Sequence, residues 1–202
     1  MNIFYIGGSP CSGKSTVAEA LSIKYGLDYF KVDDHLDKYM EMGVHDRKDC
    51  CSRIAAMTPE MIWMRDPLVQ CQEELLIYEE IFEYIQADLQ RLDSANGIIT
   101  EGAAYLPKLA KQNQLKPDIY LSITPSKDFQ VYHYKQREWV PHVLSGCSDQ
   151  AKAFENWMER DALFACEVQR QCKEMGYTSI VNNGELPVDE WTHRVAAHFG
   201  FL

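Results

Sequence analysis

The sequence predicts an α/β fold, a parallel sheet with helices on both faces. Two observations carry this. Short apolar, strand-like runs alternate with longer helix-like stretches along the whole chain. The first run, Ile3 to Gly7, stops at a glycine-rich turn that leads into a helical pattern, as the opening unit of such a sheet would. At 202 residues the chain has the length of a single domain, taken here as 1–202.

The elements follow in order. Ile3 to Gly7 reads as a buried parallel strand, apolar on both faces. Thr16 to Tyr25 carries Val17, Ala20, Leu21 and Ile23 at near-helical spacing, with Gly26 placed to end the helix. Tyr29 to Val32 is a second strand ending on Asp33-Asp34, and Leu36 to Thr58 reads as short helices. Pro67 starts a long helix whose apolar stripe is Leu75, Tyr78, Ile81, Phe82, Ile85, Leu89 and Leu92. Its glutamates, Glu73, Glu74, Glu79, Glu80 and Glu83, read as a solvated face. After an Asn96-Gly97 turn, Ile98 to Thr100 is the third strand, closed by Glu101-Gly102. Asp118 to Ile123 is the fourth. Helices near Lys127 to Trp139 and Ala151 to Met175 flank a polar break at Pro141, Ser145-Gly146 and Ser148-Asp149. Ser179 to Val181 is the fifth strand, with Asn182-Asn183-Gly184 as its exit turn, and a last helix spans about Val188 to His198.

The turn after the first strand is the most informative stretch. Gly8-Ser9-Pro10-Cys11-Ser12-Gly13-Lys14-Ser15 satisfies G-x-x-x-x-G-K-[ST], the Walker A pattern, between a strand and a helix. Its two glycines permit backbone approaches that a side chain would obstruct. The backbone N–H groups from Gly8 through Thr16 then converge on phosphate oxygens, aided by the positive end of the helix. Lys14 adds a point charge against the outer phosphates, and Ser15 offers its hydroxyl to Mg²⁺. Cys11 reads as a small filler within this loop.

Composition narrows the partners. The formal net charge is -10, which argues against non-specific nucleic-acid or anionic-membrane binding. The seven cysteines are odd in number and form no C-x-x-C pair, which favours reduced thiols over a disulfide framework or zinc site. No run approaches the ~18 apolar residues of a membrane span, and the N-terminus has no basic leader region. The expectation is a cytoplasmic protein. A guanine signature N-K-x-D and a D-x-x-G switch are both missing, which sets the chain apart from signalling GTPases.

Four stretches, GGSPCSGKST, KVDDH, IITEGAAYLP and FENWMERDALF, together resemble the small P-loop kinases, the nucleoside monophosphate kinase-like group that includes shikimate and gluconate kinases. The resemblance implies a five-stranded parallel sheet in order 2-3-1-4-5 and a small helical lid at about 137–160. It implies ATP as phosphoryl donor and Mg²⁺ as its metal. It also implies that an aspartate just past strand two, one of the pair Asp33-Asp34 with Asp33 favoured, meets the acceptor hydroxyl and takes its proton. The neighbouring Asp34 and Glu101 are then candidates for the metal's shell beside Ser15. Arg137 and Arg160 flank the lid and are candidates to close over the transferred phosphoryl group, where a guanidinium stabilises charge on the peripheral oxygens. Asn183 lies where such kinases pass the nucleotide base.

The acceptor would lie along Leu36 to Val69, with Arg47, Arg53, Arg65, Trp63 and His35 in reach. These arginines match no acceptor motif of the group, which leaves small hydroxylated acceptors open. The leading expectation is a kinase transferring the γ-phosphoryl of a nucleoside triphosphate to a small hydroxylated metabolite, with no nucleic-acid or membrane partner. The alternatives are a nucleoside or nucleotide kinase, and a nucleotide-binding regulatory protein with slow ATP hydrolysis.

Overall fold

The structure, a computed structural model, describes residues 2–202. Its strands are β1 (Ile3–Gly8), β2 (Asp28–Lys31), β3 (Ile98–Glu101), β4 (Tyr120–Pro125) and β5 (Thr178–Asn182). The helices are α1 (Lys14–Tyr25), α2 (Leu36–His45), α3 (Asp49–Ala55), α4 (Pro59–Trp63), α5 (Pro67–Arg91), α6 (Pro107–Gln112), α7 (Lys127–Tyr134), α8 (Val140–Val143), α9 (Gln150–Met175) and α10 (Val188–His198). The five strands form one sheet in the order β2-β3-β1-β4-β5, and every pairing is parallel. The expected fold class and strand order are both present.

Alternation along each strand builds two cores. Tyr5, Ile98 and Tyr120 face one side and pack with α5 and α9 residues such as Ile81, Ile85, Phe164 and Val168. Their strand neighbours Ile6, Ile99 and Leu121 face the other side and meet Val17, Leu21, Trp191 and Val195 of α1 and α10. Each fully buried aliphatic side chain of this kind contributes about 2 kcal/mol. On α1 the buried stripe is Val17, Ala18 and Leu21; Ile23, expected in the stripe, is 78% exposed.

Local chemistry sets the helix ends. The carboxylate of Asp66 accepts from the Leu68 backbone N–H at 2.8 Å and Pro67 occupies the first turn, so α5 begins where both the cap and proline favour it. Asp149 caps α9 through the Lys152 N–H at 2.9 Å, and Gly176 ends that helix at φ 78. Because α9 starts at Gln150, the second half of the expected lid belongs to a long framework helix. The irregular part, with α8, carries its own cluster of Tyr134, Val140, Leu144 and Cys147 against Trp157 and Met158.

The glutamates of α5 form a solvated face only in part: Glu83 is exposed, Glu73 is buried, and Glu74, Glu79 and Glu80 are half-buried. Glu80 accepts from the backbone N–H groups of Cys50 and Cys51, both at 2.9 Å, at the start of α3. Glu73 holds Arg53 and Arg65, Glu74 holds Arg160, Glu79 pairs with Lys108 and Glu83 with Lys48. The acidic row is a set of clamps for α3, α6 and α9. Among the described residues no helix is long and apolar enough to cross a membrane.

Candidate functional site

The parallel register sets the carboxyl ends of β1, β3 and β4 side by side: Ile6 is level with Glu101, and Gly8 with Ile123. The loop 8–15 rises from that edge, the usual place for a ligand in an open α/β sheet. Gly8 sits at φ 122, and a Cβ there would lie 1.8 Å from the Ile123 carbonyl oxygen, so no other residue fits the turn. Gly13 at φ 87 precedes α1 without a side-chain cap. The first-turn N–H groups of this helix are therefore left for a ligand.

The polar side chains of the loop turn inward. Lys14 is buried, its Nζ donating to the Ser9 carbonyl at 2.8 Å. The hydroxyls of Ser9 and Ser12 are buried with no partner. Buried polar groups left open in this way suit a ligand rich in acceptor oxygens. Cys11 takes a left-handed conformation at φ 59. Its thiol is pushed up by burial, with Arg137 and Lys14 acting the other way.

Glu101 is the partner of Ser15. It is fully buried, and its Oε1 accepts from the Ser15 hydroxyl at 2.9 Å and from the Tyr29 phenol at 3.0 Å. Its Oε2 is buried without a partner. Burial raises the carboxyl above its ordinary range, opposed most strongly by the Lys14 charge. Burial and the adjacent Glu101 push the Tyr29 phenol far upward, so it stays a donor. The donor set of one hydroxyl and one unsatisfied carboxylate oxygen fits Mg²⁺, which takes few protein ligands and completes its shell with phosphate oxygens and water.

Ser15 lines a cavity of about 710 Å³; Glu101 does not line it and is linked to it through Ser15. One wall is the loop from Pro10 to Thr16, the second is Lys31 and Asp33, and the third is Phe129, His133, Tyr134, Gln136, Arg137 and Trp139. Asp33 thus lines the same cavity as the loop. Arg137 reaches it as well, its guanidinium 4.6 Å from the Tyr134 ring centroid and 5.4 Å from that of Trp139; such aromatic contacts hold a guanidinium in place.

Other expected residues lie elsewhere. Asp34 pairs with Lys31 at 2.9 Å, its side chain 63% exposed, and does not line the cavity. Arg160 does not line it either. Its guanidinium binds Asp161 at 2.6 Å and Glu74 at 3.3 Å and lies over the Trp63 ring at 5.1 Å. Asn183 is exposed and caps a turn through the Glu185 N–H. The residue that touches the loop is its neighbour Asn182, whose Nδ2 donates to the Ser12 carbonyl at 3.0 Å. Gly102 meets Val32, 2.7 Å from where its Cβ would stand, so its small size serves packing. Tyr29, Lys31, Phe129 and His133 carry no sequence signal for the site, and Asn182 is read there only as part of the exit turn Asn182-Asn183-Gly184. The one rule that points to Asn182 is its place at the carboxyl end of a strand.

No protein-family model matches the chain, and no curated protein does. Solved structures similar to it include a provisionally assigned kinase from Chloroflexus aurantiacus J-10-fl, at 13% identity, with 98% of this chain and 97% of that one covered and a TM-score of 0.45. An uncharacterised protein from Eubacterium ventriosum ATCC 27560 follows at 16% identity, 99% of both chains and a TM-score of 0.47. Shikimate kinase from Aquifex aeolicus VF5 is at 18% identity, 99% of this chain and 96% of that one, with a TM-score of 0.48.

Proposed function

We propose that the protein is a Mg²⁺- and ATP-dependent phosphotransferase that moves the γ-phosphoryl group to a hydroxyl of a small molecule. The observation that carries this reading is one cavity lined by both the Lys14 loop and Asp33, with Glu101 bonded to the Ser15 of that loop. A regulatory binder needs the loop but has no use for a carboxylate in the same cavity.

In this reading the loop N–H groups and Lys14 hold the β- and γ-phosphates. Ser15 and Glu101 would hold Mg²⁺, which when bound would offset negative charge on the phosphates. Asp33 orients the acceptor hydroxyl and takes its proton as the acceptor oxygen bonds to the γ-phosphorus. The bond to the β,γ-bridging oxygen breaks, and ADP leaves with that electron pair. Arg137 stabilises the charge on the three peripheral oxygens. Catalysis is positioning and preorganised charge, without a covalent intermediate.

The test is Asp33→Asn in an assay that follows both nucleotide binding and phosphoryl transfer. Transfer should be lost while Mg-ATP binding persists. Equal loss of both would remove Asp33 from the role of base.

A further inference from the structure

One cation in the cavity lining has no part in the transfer described above. The lining holds three side-chain cations, Lys14, Lys31 and Arg137, against one carboxylate, Asp33. In a chain of net charge -10 that local excess favours an anion there. Lys14 belongs to the phosphate loop, and Arg137 follows α7. Lys31 ends β2, the strand that leads to Asp33.

The sheet sets its position. β2 pairs with β3 so that Lys31 is level with Glu101. Residues two apart on a strand share a face, and Tyr29, two before Lys31, donates to Glu101 at 3.0 Å. Lys31 therefore stands on the sheet face of Glu101, the partner of Ser15, and Asp33 comes two residues after it. Its hydrogen bond to Asp34 raises the ammonium above its ordinary range, burial opposes the rise, and the Glu101 and Asp33 charges add to it. The side chain is a cation at neutral pH, within the fields of both carboxylates.

Its present partner competes weakly. Asp34 lies 2.9 Å away, is 63% exposed at its side chain and does not line the cavity. Opening an exposed pair of this kind costs at most about fivefold in affinity. A charge-assisted contact to a phosphate oxygen contributes about ten- to a hundredfold. A phosphate in the cavity therefore takes Lys31 from Asp34.

We propose, on the basis of the phosphotransferase reading above, that Lys31 leaves Asp34 and binds the terminal phosphate of the nucleoside triphosphate. It is a third cation on the transferred group, beside Lys14 and Arg137, and it stands on the wall of Asp33, toward which that group moves. Asp34 is its resting partner.

The experiment is calorimetric titration of Mg-ATP and Mg-ADP into the wild type, Lys31→Gln and Asp34→Asn. ADP lacks the terminal phosphate, and no acceptor is needed. Lys31→Gln should weaken Mg-ATP binding about tenfold and leave Mg-ADP within about twofold. Asp34→Asn removes the competitor and should tighten Mg-ATP about threefold with Mg-ADP unchanged. Because Asp34 is largely exposed, this second variant folds whether or not the first does. In either variant, equal effects on the two nucleotides, or no effect, would overturn the role of Lys31 and leave the phosphotransferase reading standing. A wild-type protein that binds neither nucleotide would overturn both.

Discussion

Replacing Glu101 by glutamine separates a metal ligand from a structural carboxylate. The side chain is fully buried and its Oε1 receives two hydrogen bonds, at 2.9 and 3.0 Å. An amide oxygen accepts the same two, so these contacts, about 1 kcal/mol each, survive. The substitution removes the negative charge, whose burial opposes folding in the free protein. Because burial raises the folded pKa of Glu101, its proton linkage favours the folded state most below the ordinary carboxylate range. That contribution is lost as pH rises through the raised value. Glu101→Gln should therefore leave the melting temperature of the free protein at pH 7 unchanged or higher, and flatten its fall between acid and neutral pH. Nucleotide binding should move the other way. Loss of one charged contact of about 2 kcal/mol weakens Mg-ATP binding about thirtyfold, with ATP binding in EDTA little changed. Calorimetric titration with and without Mg²⁺, beside thermal melts over pH, reads all three quantities. A lower melting temperature with unchanged Mg-ATP affinity would refute the metal role and make Glu101 a structural anchor for Ser15 and Tyr29.

Further expectations concern the remaining cavity residues. Arg137→Ala should lower kcat about a hundredfold with little change in the KM for ATP, in steady-state assays with a stimulating acceptor; a rise in KM alone would make it a binding residue. Arg160→Ala should act on stability, leaving Asp161 and Glu74 without their cation at a cost of about 3–5 kcal/mol in denaturant unfolding; full stability with lost turnover would return it to the catalytic set. Asn182→Ala removes the bond to the Ser12 carbonyl and should cost about 1 kcal/mol in the same assay, together with weaker nucleotide binding.

The parts of this site that could be read from the sequence are those made by neighbours along the chain. The loop from Gly8 to Ser15 is contiguous, and its glycines, lysine and hydroxyl are held by short-range backbone geometry. Asp33 follows its strand by two positions, so the sheet's carboxyl edge presents it directly. Arg160 stands outside the cavity lining through contacts that the sequence does not display, with Glu74, 86 residues away, and with an aromatic ring from α4. The glutamates of α5 carry the same lesson. A helical pattern shows which residues leave the apolar stripe, and only tertiary packing decides whether they meet water or an arginine. Asp34 makes a local contact instead, the i,i+3 pairing with Lys31. Tyr29 and Asn182 come to the site from strands on opposite sides of β1, a relation set by strand order.

Titration of Mg-ATP into the wild-type protein and into Lys14→Ala tests the central claim, that the loop holds a nucleoside triphosphate. The wild type should bind, and the variant, still folded, should bind about a hundredfold more weakly, since it lacks the buried ammonium that meets the outer phosphates. Equal affinity in the two proteins, or no binding by the wild type, would contradict the account.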